Sequence, residues 1–322
     1  MAEKTAILLL AHGTPDSLDE IPAYLANITG GRPMPDHVIE EIRHRYSLIE
    51  PSPLTRITME QGRLLSKELG MPVYVGMRNW KPYIADVVAQ MKADGITRIA
   101  AICLAPQNSR TSVGLYRKAL YAAAGDLTVE FTAGWAEHPL LAQAFAERLA
   151  AVLAPFEAEA GHRIPENRIP VVFTAHSVPL RTVQATSEDG ASPDPYADEA
   201  KATARLTAEA AGLAPEQWTF AFQSQGMSGG PWIGPTVEET LDALHQQGAK
   251  GVVIAPIGFL CDHVEILYDI DIAFKEHAAK LGIELRRPVS LNESATLTVA
   301  LADVARAALT ALDARKNEAT SA

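Results

Sequence analysis

Cysteine is nearly absent from this chain. Only Cys103 and Cys261 occur in 322 residues, too few for a four-cysteine iron–sulfur cluster or a structural zinc site. No iron–sulfur cluster and no permanently bound cofactor are therefore expected. Cys103, in Ala-Ile-Cys-Leu-Ala, reads as a reduced residue inside a buried strand, a state that fits the cytoplasm. Positive charge is also scarce. The 28 Lys and Arg face 39 Asp and Glu, a formal net charge of −11 with no basic cluster, which excludes a nucleic-acid surface. No apolar run approaches the roughly 20 residues that a membrane span needs, so no span is expected. The first apolar segment is about seven residues long and ends at His12, too short for a signal-peptide core with its cleavage site. The expected location is cytoplasmic.

What is present is a soluble globular composition, 48% hydrophobic and 21% charged, in a chain long enough for two domains. Short apolar runs alternate with amphipathic helical stretches, the pattern of parallel sheets covered by helices. Strands are expected at 6–11, 73–76, 98–104, 128–132, 171–175, 219–223, 251–255 and 284–288. Four precede and four follow the Glu/Ala/Pro/Arg-rich segment 155–170, which reads as the boundary. The halves echo each other: Leu10-Ala11-His12-Gly13-Thr14-Pro15 answers Thr174-Ala175-His176-Ser177-Val178-Pro179, and Leu104-Ala105-Pro106 answers Ile254-Ala255-Pro256. The expected fold class is α/β, with two Rossmann-like lobes, each a four-stranded parallel sheet flanked by helices. The lobes are assigned to 1–160 and 165–290, with a C-terminal helix at 293–316 joining the first, and the ligand cleft is expected between them.

Three segments carry candidate chemistry. The stretch 256–271 follows a strand-like run and opens what reads as a helix. Asp262, Glu265 and Asp269 recur there at i, i+3 and i+7, which places three carboxylates on one helical face. Such a row can hold a metal ion or move protons; acids in a first turn also simply complement the helix dipole. His176 ends a strand, as a buried structural residue or as a ligand and base titrating near neutrality. His12, His176 and Glu265 should all lie at the carboxyl edges of their sheets, where open α/β folds bind ligands. The Gly-rich loop 223–235, with Met227 and Trp232, matches neither a dinucleotide fingerprint nor a phosphate loop. It suits a planar aromatic ligand, or serves as a plain connection. Thr236 and Glu239 form a capping box for the helix after it.

Taken in order, Ala175-His176-Ser177-Val178-Pro179, Pro231-Trp232-Ile233-Gly234-Pro235 and Pro256-Ile257-Gly258-Phe259-Leu260-Cys261-Asp262-His263-Val264-Glu265 resemble the signatures of the ferrochelatase family. The resemblance runs from Leu8 to about Ala279. It implies an enzyme that inserts Fe²⁺ into a porphyrin, with His176 and Glu265 as the metal and proton site and Asp262 and Asp269 as secondary acids. Ser109, Ser112 and Tyr116 after Leu104-Ala105-Pro106, and Arg45-Tyr46 with Ser52-Pro53-Leu54, resemble the branch acting on coproporphyrin III. In that branch the positions of Arg45, Tyr46, Ser52 and Tyr116 contact the porphyrin; Trp232 is counted with them.

Three departures stand out. His12 occupies a position where that branch carries a tyrosine that is an axial ligand to product iron, and imidazole is itself a good haem ligand. Thr29 replaces a porphyrin-contacting arginine, with Arg32 close by. Ala273 replaces an outer acid of an accessory metal site. The expected partners are the porphyrin and Fe²⁺, with transient contact to neighbouring haem-pathway enzymes and a monomeric state. Protoporphyrin IX, sirohydrochlorin with cobalt or iron, and a porphyrin or haem carrier without turnover are the alternatives. His176 is taken as neutral at pH 7, near the reference value of about 6.5.

Overall fold

The computed structural model describes residues 3–49, 52–160, 168–184, 193–225 and 230–321. The chain divides into two compact units, Met1–Trp135 with Asn292–Ala322, and Ala136–Leu291.

The first unit contains β1 (Thr5–Ala11), α1 (Ile21–Ile28), α2 (Asp36–Ser47), α3 (Leu54–Leu69), β2 (Val73–Met77), α4 (Ile84–Ala93), β3 (Arg98–Cys103), α5 (Val113–Ala124) and β4 (Thr128–Thr132). The second contains α6 (Pro139–Ala160), β5 (Val171–His176), α7 (Leu180–Val183), α8 (Tyr196–Ala210), β6 (Trp218–Gln223), α9 (Val237–Gln246), β7 (Gly251–Pro256), α10 (Val264–Leu267), a π-turn at Asp269–Phe274, α11 (Lys275–Lys280) and β8 (Glu284–Arg286). The last helix, α12 (Ala295–Ser321), returns to the first unit. Each expected strand is present, shifted at its ends by no more than two residues.

Both sheets are parallel and share one topology, β2-β1-β3-β4 and β6-β5-β7-β8. The first strand of each unit is buried on both faces, which is why it reads as a continuous apolar run. Ala6, Leu8 and Leu10 of β1 pack with Ile84, Val88 and Met91 of α4 and with Val113 and Leu120 of α5. Alternate residues face the other layer, where Gly62 of α3 leaves no room for a side chain: a Cβ there would lie 2.6 Å from Val75. In the second unit Val172, Val252 and Ile254 pack with Val237, Leu241, Ile270 and Ala278. The capping box forms, with Thr236 Oγ1 accepting from Glu239 N–H at 3.1 Å and Glu239 accepting from Thr236 N–H at 2.8 Å.

The expected boundary is corrected. The division falls at Trp135/Ala136, not within 155–170, because α6 belongs with the second unit. Pro155 lies inside α6 and does not end it. Leu149, Leu153 and Phe156 are buried along the helix, and the Arg286 guanidinium stacks 4.0 Å from the Phe156 ring centroid while pairing with Glu159 at 2.5 Å. These contacts outweigh the one backbone hydrogen bond a helical proline forfeits. The stretch Ala295–Arg315 is long and apolar enough to cross a membrane by length and composition. Its apolar side is instead used inside the first unit, where Leu297, Leu301, Val304, Ala305 and Leu312 are buried. Charged side chains fix its polar side: Arg98 meets Asp313 at 2.5 Å and Arg315 meets Glu130 at 2.7 Å.

Candidate active site

In the second unit the chemistry gathers at the carboxyl edge of the sheet. His176 is the last residue of β5, and its Nε2 lies 3.3 Å from Glu265 Oε1 on α10. Both side chains are about one-third exposed, 31% and 33%, so water and a ligand can still reach them. The loop carrying Glu265 can come this close because of Gly258. A Cβ on Gly258 would lie 2.8 Å from the Ala175 Cβ and 2.9 Å from its Cα.

Several residues hold the pair in place. His176 Nδ1–H donates to the Ser177 carbonyl, which leaves Nε2 facing the carboxylate. Tyr196 donates its hydroxyl to the His176 carbonyl at 2.9 Å. Gln223 donates to the Glu265 carbonyl at 2.8 Å and accepts from Thr174 Oγ1 at 2.7 Å, joining β5, β6 and α10. His263 Nε2 lies 3.4 Å from the second oxygen of Glu265. Trp232 is brought alongside by pairing of Pro179 with Trp232, its ring 6.5 Å from that of His176; Phe259 stands at 6.5 Å on another side. Residues 226–229 of the Gly-rich loop, Met227 among them, lie outside the described residues.

The electrostatics differ from the expectation of a neutral imidazole. Burial disfavours charge on His176, but the Glu265 carboxylate and the Ser177 carbonyl outweigh it, and the imidazole is pushed up to about 9. Burial likewise pushes Glu265 up, yet His176 and His263 hold it well below the usual carboxylate range. At neutral pH the ligand-free pair is an imidazolium and a carboxylate sharing one proton. An arriving cation can displace that proton to water, after which the pair offers it one nitrogen and one oxygen. Among the described residues no three His, Cys, Asp or Glu side chains are gathered as a metal-binding group.

The row of three carboxylates does not form. Helical structure begins at Val264, so Asp262 precedes it. Asp262 accepts instead from Arg287 Nη1 at 3.1 Å and from Ser290 Oγ at 2.7 Å. Arg287 also forks onto Asp271, at 2.8 and 2.6 Å, which ties the loop before Glu265 to the π-turn after it. The π-turn then changes the helical phase. Asp269 stays on the site's side, accepting from Ser224 Oγ, and its charge contributes to raising His176.

The first unit builds a second edge, where the histidine meets uncharged hydrogen-bond partners. His12 follows β1, and the loop behind it closes over Gly13 (φ 80°), where a Cβ would lie 2.9 Å from both Met77 Cβ and Trp80 N. Tyr24 Oη stands 3.1 Å from His12 Nε2, while Asn79 Nδ2 lies 3.0 Å from Nε2 and 3.2 Å from Nδ1. Tyr24 also packs edge-on against Tyr46 at 6.4 Å and Trp80 at 6.1 Å. Ser52 is buried and bonds Thr14 Oγ1 at 2.9 Å. His12, Tyr46 and Ser52 are therefore brought together. Tyr116, on α5, packs into the core, with the Arg78 guanidinium 6.0 Å from its ring centroid. Thr29, Arg32 and Arg45 are placed differently. Thr29 Oγ1 donates to Leu25 O at 3.0 Å and Arg32 O at 2.8 Å, Arg32 Nε donates back to Thr29 O at 3.0 Å, and Arg45 pairs with Glu41.

A family model described as Ferrochelatase matches residues 4–309. The chain belongs to the ferrochelatase family. It is 63% identical to the ferrochelatase of Acidobacterium capsulatum, over 98% of this chain and 97% of that one. It is 34% identical to the coproporphyrin III ferrochelatase of Geobacillus kaustophilus, over 94% and 96%. Among solved structures, a sirohydrochlorin chelatase from Bacillus subtilis subspecies spizizenii, in complex with cobalt, shares the fold with a TM-score of 0.53 at 12% identity, covering 95% of each chain. The chain is thus an enzyme, and its substrates are a porphyrin and a metal ion. Tyr24, Asn79, Tyr196, Gln223 and His263 were not singled out by sequence reasoning. His263 lies inside the signature segment two residues before Glu265, and Gln223 opens the Gly-rich loop, but nothing local marked either as a support of the pair.

Proposed function

We propose that this ferrochelatase inserts Fe²⁺ into coproporphyrin III, giving iron coproporphyrin, and that His176 and Glu265 carry the insertion. The observation that carries the reading is the 3.3 Å imidazole–carboxylate contact at the edge of the second sheet. Metallation replaces two pyrrole protons with one Fe²⁺, so the enzyme must both hold the ion and remove protons. The proton already shared by the pair leaves as Fe²⁺ approaches, freeing His176 Nε2 as a nitrogen ligand. As the ion moves on to the ring nitrogens, His176 accepts the two pyrrole protons one after the other, and Glu265 passes each outward to water before the next is taken. Imidazole with one carboxylate suits Fe²⁺ and releases it more readily than thiolates would.

For the substrate, the support is the named relative from Geobacillus kaustophilus and the polar residues of the first unit, Ser52, Tyr46 and Tyr116. His12 is the axial ligand to product iron in this reading. Ligation through Nε2 requires both Tyr24 and Asn79 to give up their contacts with that nitrogen. The test is anaerobic metallation with Fe²⁺, followed spectroscopically, with coproporphyrin III, protoporphyrin IX and sirohydrochlorin in parallel. The highest kcat/KM on coproporphyrin III is expected. Equal or better efficiency on protoporphyrin IX overturns the substrate, and binding without any spectral conversion would mark a carrier.

A further inference from the structure

Arg78 stands out among the cations of the first unit. It follows β2 directly, and its N–H donates to the Ala11 carbonyl at 3.0 Å, which sets it beside His12 at the carboxyl edge of the sheet. The next residue, Asn79, also bonds the His12 ring. The guanidinium is half-buried over the Tyr116 ring. No ion pair and no side-chain hydrogen bond engages it among the described residues, and a half-buried guanidinium with five donors calls for an acceptor. The other candidate cations are already occupied: Arg45 by Glu41, and Arg32 by the Thr29 carbonyl on an exposed turn. A carboxylate is the ligand that matches a planar fork.

We propose that Arg78 recognises a propionate of the porphyrin, taking on this edge the role that Thr29 cannot fill. The inference rests on the porphyrin reading above. It makes Arg78 a specificity-determining residue of the first unit.

Binding is measured by fluorescence quenching, for wild type, Arg78→Met and Arg78→Lys, with whichever porphyrin the wild type metallates fastest. The fully methylated ester of that porphyrin is run beside it in the same detergent. Arg78→Met should weaken binding of the free acid by about 10-fold or more, the loss expected for one charge-assisted hydrogen bond. Arg78→Lys should fall between, since it keeps the charge without the fork. The ester should bind wild type and Arg78→Met alike, and steady-state kinetics should show KM raised with kcat nearly unchanged. Free-acid binding within twofold of wild type overturns the assignment, as does an equal loss for acid and ester. Because the porphyrin is chosen by its metallation rate, a failure of coproporphyrin III as preferred substrate reads separately from a failure of Arg78.

Discussion

Each unit places a histidine at or just past the end of its first strand, yet the two histidines sit in opposite surroundings. His176 meets a carboxylate, with a second histidine and Asp269 near it. His12 meets a phenol and an amide. The scaffolds are alike in detail: strand orders correspond, and Met77 N donates to Pro82 O at 2.7 Å as Phe222 N donates to Pro235 O at 2.8 Å. One fold thus surrounds one histidine with charged groups and gives the other uncharged hydrogen-bond partners. The chemistry is set by the partner of the histidine, not by the histidine or the strand beneath it.

The largest expected effect breaks the charged edge. His176→Ala or Glu265→Ala should lower kcat for metallation by about 100-fold or more, the size of a lost acid–base group, with porphyrin affinity near wild type. Metallation by His176→Ala at the wild-type rate would remove the pair from the mechanism.

The shared proton can be read directly. The His176 ring should titrate at about 9 by NMR in the ligand-free enzyme, and Glu265→Gln should move the midpoint down. The sign for stability follows. The folded value of His176 is raised above the unfolded one, so its contribution is full below about 6.5 and is lost as pH rises through about 9. Glu265 is depressed, so its contribution is lost on acidification, as pH falls through its lowered value. Wild type should lose more Tm between pH 6.5 and 9.5 than Glu265→Gln does; parallel curves would contradict the coupling.

The supports of the two edges differ in the same sense. Asp262→Asn weakens a largely buried ion pair with Arg287 and a hydrogen bond from Ser290 and should cost about 2 kcal/mol in denaturant unfolding. Ser52→Ala removes a neutral bond to Thr14 and should cost about 1 kcal/mol. A reversed order would show that the charged network stabilises less than the neutral pair.

How much of this was legible follows from the range of the contacts. Strands buried on both faces announce themselves as apolar runs, and His176 and Glu265 fall beside two such runs within recognisable segments. Tyr24, Asn79, Gln223 and Arg287 act through partners 12, 67, 42 and 25 residues away, and no local pattern marks those pairings. Helical spacing placed Asp262 on the face of Glu265, but the chain is not helical before Val264 and a π-turn alters the phase after it. Pro155 read as punctuation because the packing of Phe156 against Arg286 is invisible in sequence.

The smallest effect on turnover is expected at the His12 edge. If His12 ligates product iron and takes no part in moving protons, His12→Ala should change kcat for metallation by no more than a few-fold, since it removes no acid–base group. Its signature is spectroscopic. Ferric product bound to wild type should show imidazole ligation in electronic and resonance Raman spectra, and His12→Tyr should move them toward phenolate ligation. Tyr24 refines the point, because its hydroxyl occupies the nitrogen that iron would need. Tyr24→Phe leaves the ring packing against Tyr46 and Trp80 in place while removing that bond. It should tighten product binding by about 5-fold, the worth of one neutral hydrogen bond no longer broken on ligation. Identical product spectra for wild type and His12→Ala would leave both histidine edges without iron ligation in the product, and the contrast between them would then concern protons alone.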